Sequence, residues 1–472
     1  MTSISTTKWD FRNCELLPSG EIAVREYLWD VDAGVVWTKM LDMKTIVNPR
    51  TDTVLHYCLV VNTSTLMVVV YDEDWIQISS ISLGAAPSDI YRAGFCVSVL
   101  GDEVIVSSPY FSTLWGFNTG GTLETAQKVD SINAANTTAI DLPVGVSVSW
   151  AGRIVWADGE AVWFSDPVAP RTVVAQNGII FPGGKVYSLH VNAGGALILC
   201  SEGGVFALSE QAAATGQIVV GIFQKLSDHR TVGYDQTCIC NGRVYGLTER
   251  GFSAIDAENQ KEYHLSEASI RRTTTPRFAF ADYRQGKMFA TPTGPAVNIG
   301  RFVHFTNIAA GFSTWWTTSD PLSNLIDIRA VGYEKDGEMF FMNVSSPVWR
   351  HGDLSLTEGA ISAEVAGSVK TPSGESVVVR RAFFQSDSQE AFGMSFMGED
   401  KTSSAPTAPS PVIGTDSWDT GLKYTDAHMQ SKRFLWSTRS DDLQMELKVF
   451  GPGSRVPTSV DIDMMGPGKR RP

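Results

Sequence analysis

The side chains best suited by type to proton transfer or metal ligation are seven histidines: His56, His190, His229, His264, His304, His351 and His428. None sits in an H-E-x-x-H helix, where two imidazoles one turn apart hold zinc, and none accompanies a G-x-S-x-G turn presenting a serine nucleophile. The six cysteines, Cys14, Cys58, Cys96, Cys200, Cys238 and Cys240, are scattered through apolar strand text. Cys238 and Cys240 share one strand face, but no second Cys or His pair follows at ligand spacing, so no zinc site is expected. Asp72-Glu73-Asp74 lacks the spaced third ligand of a calcium loop and reads as a solvated turn. No Walker loop and no dinucleotide fingerprint occurs. The expectation is a chain with no catalytic residue, no cofactor and no metal: a scaffold, not an enzyme.

The elements that such a scaffold needs are written most clearly between Pro143 and Pro167, PVGVSVSWAGRIVWADGEAVWFSDP. Three apolar runs, Val146 to Trp150, Arg153 to Ala157 and Ala161 to Ser165, are separated by turns at Ala151-Gly152 and Asp158-Gly159-Glu160. Branched and aromatic side chains suit a pleated, half-buried surface, and glycine supplies the positive φ of hairpin turns. The same device recurs with turn glycines at Gly101, Gly152, Gly195, Gly242, Gly286 and Gly337. A period of roughly 40–50 residues holding three or four strands is that of a β-propeller blade. An all-β fold is therefore expected, a propeller of six or seven blades, with a stacked or split β-sandwich as the alternative. Trp150, Trp156 and Trp163 are expected to pack between blades.

The flanking text divides the chain into residues 1–50, an N-terminal segment packing with the C-terminal part, a propeller over 51–352, and a smaller β-sandwich-like domain over 353–472. That last domain carries a Pro/Ser/Thr loop at 399–411 that cannot hold ordinary ladder pairing. Leu265 to Arg272 predicts a short helix, with Ser266 as its cap and Arg271 and Arg272 at its C-terminal end. Gly120 to Asn136 is a polar connection, long enough to reach a partner.

The chain has 472 residues with 38 Lys and Arg against 51 Asp and Glu, a net charge of −13. Such a surface is not one that wraps nucleic acid, because phosphate neutralisation by Lys and Arg dominates that binding. MTSISTTKWDFRN lacks the apolar core of a secretion signal, and Leu66 to Tyr71, the longest apolar run, is far short of the ~20 residues of a membrane helix. A soluble protein with reduced, buried thiols and no membrane insertion is expected.

Several phrases together resemble the tail nozzle, or packaged-DNA stabilisation, proteins of short-tailed bacteriophages (the podovirus tail hub). They are the opening FRNCELLPSGEIAVRE, the phrase Ser149-Trp150-Ala151-Gly152-Arg153-Ile154-Val155-Trp156 continuing into Val162-Trp163-Phe164-Ser165-Asp166-Pro167, and the run Val186 to Leu208. The resemblance implies a structural virion protein located in the virion tail and assembled in the host cytoplasm. It would form a homohexamer ring continuing the DNA channel, retaining packaged DNA and permitting its ejection. Its partners would be tail adaptor proteins, a tail needle or gate protein, and tail spikes or fibres. Double-stranded DNA would pass through the lumen without sequence-specific binding, helped by excess negative charge. Two other readings stay open, a receptor-binding or fibre-anchoring virion propeller and a glycan-cleaving propeller enzyme. Against the enzyme, the S-x-D-x-G-x-x-W turns of propeller sialidases are absent, since Ser165-Asp166-Pro167 lacks both the Gly and the Trp.

Overall fold

The structure, a computed structural model, describes residues 2–5, 10–17, 19–25, 27–31, 37–87, 94–118, 120–124, 127–128, 143–167, 169–208, 210–212, 218–220, 223–231, 233–234 and 237–240; from residue 243 onward it describes the strands named below together with Val456. Every regular element among these residues is a β-strand. The chain divides into two compact units, one of Met1–Trp29, Phe312–Ser323 and Gly352–Pro472, the other of Asp30–Gly311 and Asn324–His351.

The larger unit is a series of antiparallel meanders. The first sheet contains Lys39–Val47, Val54–Asn62, Thr65–Tyr71 and Gln77–Ala85, and the second Cys96–Leu100, Glu103–Ser108, Phe111–Gly116 and Gln127–Lys128. The third contains Val146–Trp150, Arg153–Asp158, Ala161–Asp166 and Ala169–Ile180. In the fourth, Val186–Val191, Leu197–Ser201 and Gly204–Leu208 are joined by Gln224–Ser227, after a separate hairpin of Glu210–Ala212 and Ile218–Val220. The fifth contains Thr237–Cys240, Arg243–Thr248, Gly251–Asp256 and Lys261–Ser266, and the sixth Phe278–Tyr283, Lys287–Pro292 and Phe302–Asn307. The seventh is ordered Ile328–Tyr333, Met339–Asn343, Val348–Gly352 and Tyr27–Val31, so its fourth strand comes from the start of the chain; the unit boundary falls inside that strand. Among the described residues no sheet closes on itself. The first strand of each sheet lies against the first strand of the next, and that of the seventh lies against that of the first.

Apolar faces between neighbouring sheets form the core. Tyr57, Leu59, Val68 and Val70 of the first sheet meet Val104, Val106 and Trp115 of the second. Val146, Val155 and Phe164 of the third meet Leu189, Leu197 and Leu199 of the fourth. Alternation explains the selection, since side chains two apart share a face and a strand packed on both faces reads as a continuous apolar run. Val54–Asn62 is such a strand, buried at every residue but the last.

In the smaller unit one run of paired strands is ordered Phe312–Thr317, Asp10–Arg12, Ser362–Lys370, Asp442–Phe450 and Phe392–Met397. A second pairs both chain ends, Thr2–Ser5 against Ser459–Met465, followed by Val377–Ser386 and Gln430–Leu435, with Arg439–Ser440 also on Val377–Ser386. Cys14–Leu16 and Ile22–Val24 make a hairpin. Phe11, Val24, Val365 and Leu447 are buried here.

Three expectations meet the structure differently. Residues 30–50, assigned from sequence to an N-terminal segment, belong to the larger unit, because Lys39–Val47 pairs along its whole length with Val54–Asn62. Phe312–Ser323, placed inside the propeller span, belongs to the smaller unit. The helix expected at 265–272 begins on a strand: Leu265 and Ser266 end Lys261–Ser266, and Ser266 pairs with Phe252. The rest of that segment lies outside the described residues, as do 399–411 and most of 120–136.

Candidate binding cleft

The first strands of the second, third, fourth and fifth sheets line a cleft of about 430 Å³. Its polar lining is Ser98, Ser147, Ser149 and His190, set among Val97, Val148 and Ile239. A buried hydroxyl without a partner costs roughly 1–3 kcal/mol, and the strands satisfy theirs across sheet boundaries. Ser98 and Ser147 share a hydrogen bond at 2.9 Å, and Ser107 donates to Ser147 at 2.8 Å. Ser149 donates to the Val99 carbonyl at 2.6 Å. One boundary further on, Ser188 and Thr237 are hydrogen-bonded, and Thr237 Oγ1 lies 3.0 Å from His190 Nε2.

His190 is held at a pKa of about 4, first because the surrounding protein strips water from the ring and second because of the positive charge of Lys44. It is neutral at pH 7. Lys44 belongs to the first sheet and pairs with Asp42 at 3.1 Å. Burial pushes the neighbouring Cys200 thiol up to about 11, against hydrogen bonds with Ser188 and Thr237 that pull it down. An unreactive thiol and an imidazole far below the working pH make poor nucleophile and base. The cleft offers hydrogen-bond donors and acceptors without a fixed charge in its lining.

At the other end of the same strands, Tyr234 lies against Gly94, where a Cβ would stand 2.8 Å from the tyrosine ring. Tyr234 also meets Tyr187 edge to face, with centroids 5.2 Å apart. Tyr187 donates to Glu202 Oε1 at 2.9 Å, and its phenol is pushed up to about 12 by burial, by that bond and by the Glu202 charge.

The turn glycines singled out in the sequence divide into two groups. Gly101, Gly152 and Gly195 have φ of 60°, 70° and 79°. Each follows the first strand of its sheet or the residues just beyond it, where a two-residue or slightly longer hairpin needs positive φ. Gly242, Gly286 and Gly337 lie outside the described residues. Trp150 is 3% exposed and donates to the Gly195 carbonyl at 2.7 Å, tying the hairpin of the third sheet to that of the fourth. Trp156 is fully buried and pairs across strands with Trp163, which is half-buried.

The remaining phrase residues also have structural roles. Arg153 donates to the Ser165 carbonyl at 2.8 Å, and Ser165 Oγ accepts from the Ile154 amide at 3.0 Å. Cys14, Cys58, Cys96, Cys200 and Cys238 are free thiols. Asp72 Oδ1 accepts from the amides of Asp74 and Ile76, so the acidic cluster is organised as a turn. Sequence reasoning missed the hydroxyl pairs and the tyrosine pair. Ser98 with Ser147 and Ser188 with Thr237 stand one sheet repeat apart, a spacing that could have pointed to them.

No family model and no curated protein matches this chain. Among solved structures it is similar to the extracellular domain of a proposed one-component system, BT4673, of B. thetaiotaomicron, at 8% identity and a TM-score of 0.46, over 96% of this chain and 62% of that one. The extracellular domain described as that of the hybrid two-component system BT4673 gives 7% identity and a TM-score of 0.44 over the same shares. The chain thus spans under two thirds of the length of both. Both are extracellular domains of such systems and neither is a tail component. On this finding the expected role in retaining and ejecting packaged DNA, and the expected location in a virion tail, are corrected.

Proposed function

We propose that the larger unit is a seven-bladed β-propeller and that the protein is a non-enzymatic binding module, taking a small, uncharged, hydroxyl-bearing group in the cleft among its inner strands. The propeller reading is supported by the sequence of seven meanders, by the relay of first strands that returns from Ile328–Tyr333 to Lys39–Val47, and by the seventh sheet's use of Tyr27–Val31. Completing the last sheet with a strand from the other chain end is how a circular array of sheets is fastened.

The binding reading rests on one observation: the polar lining is three serines and a neutral imidazole. The serine oxygens keep acceptor lone pairs beyond the bonds they make within the strands, which suits the hydroxyl donors of a polyol or saccharide edge. A charged group entering the cleft would lose hydration without a counter-charge in the lining.

Isothermal titration calorimetry with a panel of neutral monosaccharides, disaccharides and polyols tests this, using the natural protein and Val148→Trp, whose indole fills the cleft. Binding of at least one neutral compound, abolished by Val148→Trp, is expected. Heat from charged compounds alone, or binding indifferent to the substitution, would overturn the reading.

A further inference from the structure

Lys185, Tyr187, Glu202 and Tyr234 meet away from the cleft lining, at the opposite end of the inner strands. The Lys185 ammonium lies 5.2 Å from the Tyr187 ring centroid and 5.3 Å from that of Tyr234. The two rings stand at 74° to each other, so they form a corner, and the Lys185 ammonium lies over both. An ammonium within about 6 Å of a ring centroid is attracted by the ring quadrupole, and corners of this kind favour alkylated ammonium groups, which are less strongly hydrated than a primary amine.

Both walls are held in place. The hydrogen bond from the Tyr187 hydroxyl to Glu202 fixes one ring and puts a carboxylate beside the corner. The other ring rests on Gly94, where any Cβ would collide with it. The occupant, by contrast, is movable. The Lys185 carbonyl is anchored by the Glu202 amide at 3.0 Å, but its ammonium sits at the end of a four-carbon stem that can swing out without moving the backbone. Lys185, Tyr187 and Tyr234 are half-buried and Glu202 is exposed, so the corner is reachable from solvent.

We propose that Tyr187, Tyr234 and Glu202 form a binding site for an organic ammonium group, a quaternary or methylated amine, which Lys185 fills from within the chain when no ligand is present. Ligand binding is then a displacement, and Lys185 sets its threshold.

Calorimetric or NMR titration with tetramethylammonium chloride and with choline chloride tests this, against sodium chloride at matched ionic strength. Lys185→Ala is expected to bind either cation at least tenfold more tightly than the natural protein, because the internal competitor is gone. Lys185→Gln, which keeps the stem and loses the charge, should show the same direction. Tyr187→Phe, which keeps the ring and releases Glu202, should weaken binding in the Lys185→Ala background severalfold. Val148→Trp should leave the response unchanged, which separates this site from the cleft. Equal affinity of Lys185→Ala and the natural protein, or a response that sodium chloride reproduces, would overturn the proposal.

Discussion

Trp150 offers a test of how neighbouring sheets are fastened. Its indole is 3% exposed, meets Phe164 at 6.1 Å between centroids, and donates to the Gly195 carbonyl of the next sheet. Trp150→Phe removes the donor and trims the indole to a phenyl ring, keeping most of the packing. Gly195 is exposed, so water replaces the lost bond and the cost should be about 1 kcal/mol. Trp150→Ala removes the ring from a cluster that includes Val155, Leu197 and Leu199 and should cost about 3–5 kcal/mol. In urea unfolding followed by far-UV circular dichroism, with a slope near ~3 kcal/mol/M, the Phe variant should shift the midpoint by about 0.3 M and the Ala variant by at least ~1 M. An Ala variant losing under about 1 kcal/mol would place the ring at the surface. A Phe variant as damaged as the Ala variant would show that packing is not the main contribution.

Glycine substitutions in the same sheet should diverge. At Gly145, φ is +126° and a Cβ would lie 2.0 Å from the Ala157 carbonyl oxygen, so Gly145→Ala should cost more than about 3 kcal/mol, whereas Gly152→Ala, at φ +70° in open space, should cost about 1 kcal/mol; equal midpoints in urea would refute the distinction. Ala151 holds φ +49° beside Gly152, so Ala151→Gly should stabilise by up to about 1 kcal/mol, and a loss of stability would count against that turn geometry. His56 is stacked on Trp75 at 4.6 Å and burial holds its pKa at about 3, well below the ordinary 6.5. The unfolded chain therefore binds a proton that the native state refuses. Its contribution is intact above pH 6.5 and falls by about 1.4 kcal/mol per pH unit as the pH drops toward 3, with His190 adding the same sign down to about 4. Urea midpoints between pH 7 and 4 should fall less steeply in His56→Asn, and parallel slopes would contradict the assignment.

Local pattern carried the strand architecture. The runs around Trp150, Trp156 and Trp163 alternate cleanly and end in glycine turns, so their pairing could be read from types and spacing alone. Lys39–Val47 could not: Asp42 and Lys44 interrupt its apolar run, and a register shift between Met40 and Asp42 breaks its alternation, which hid a strand in text assigned to the N-terminal segment. Leu265 and Ser266 read as the start of a capped helix, but they end the strand Lys261–Ser266, where propensity yields because a neighbouring strand supplies the hydrogen bonds. The cleft was illegible for another reason. Ser98 and Ser147, or Ser188 and Thr237, become partners only when successive sheets lie side by side, and serines in strand text look like any solvated face. The tyrosine corner depends likewise on Gly94, far from both rings in sequence.

Everything about the cleft depends on how the meanders of the larger unit are arranged, and an experimental density map of the protein, from crystals or from electron microscopy, tests that most directly. Seven sheets around one axis are expected, with the Lys39–Val47 and Ile328–Tyr333 strands side by side at its centre and Tyr27–Val31 completing the last sheet. Sheets stacked face to face, with those two strands apart, would contradict it.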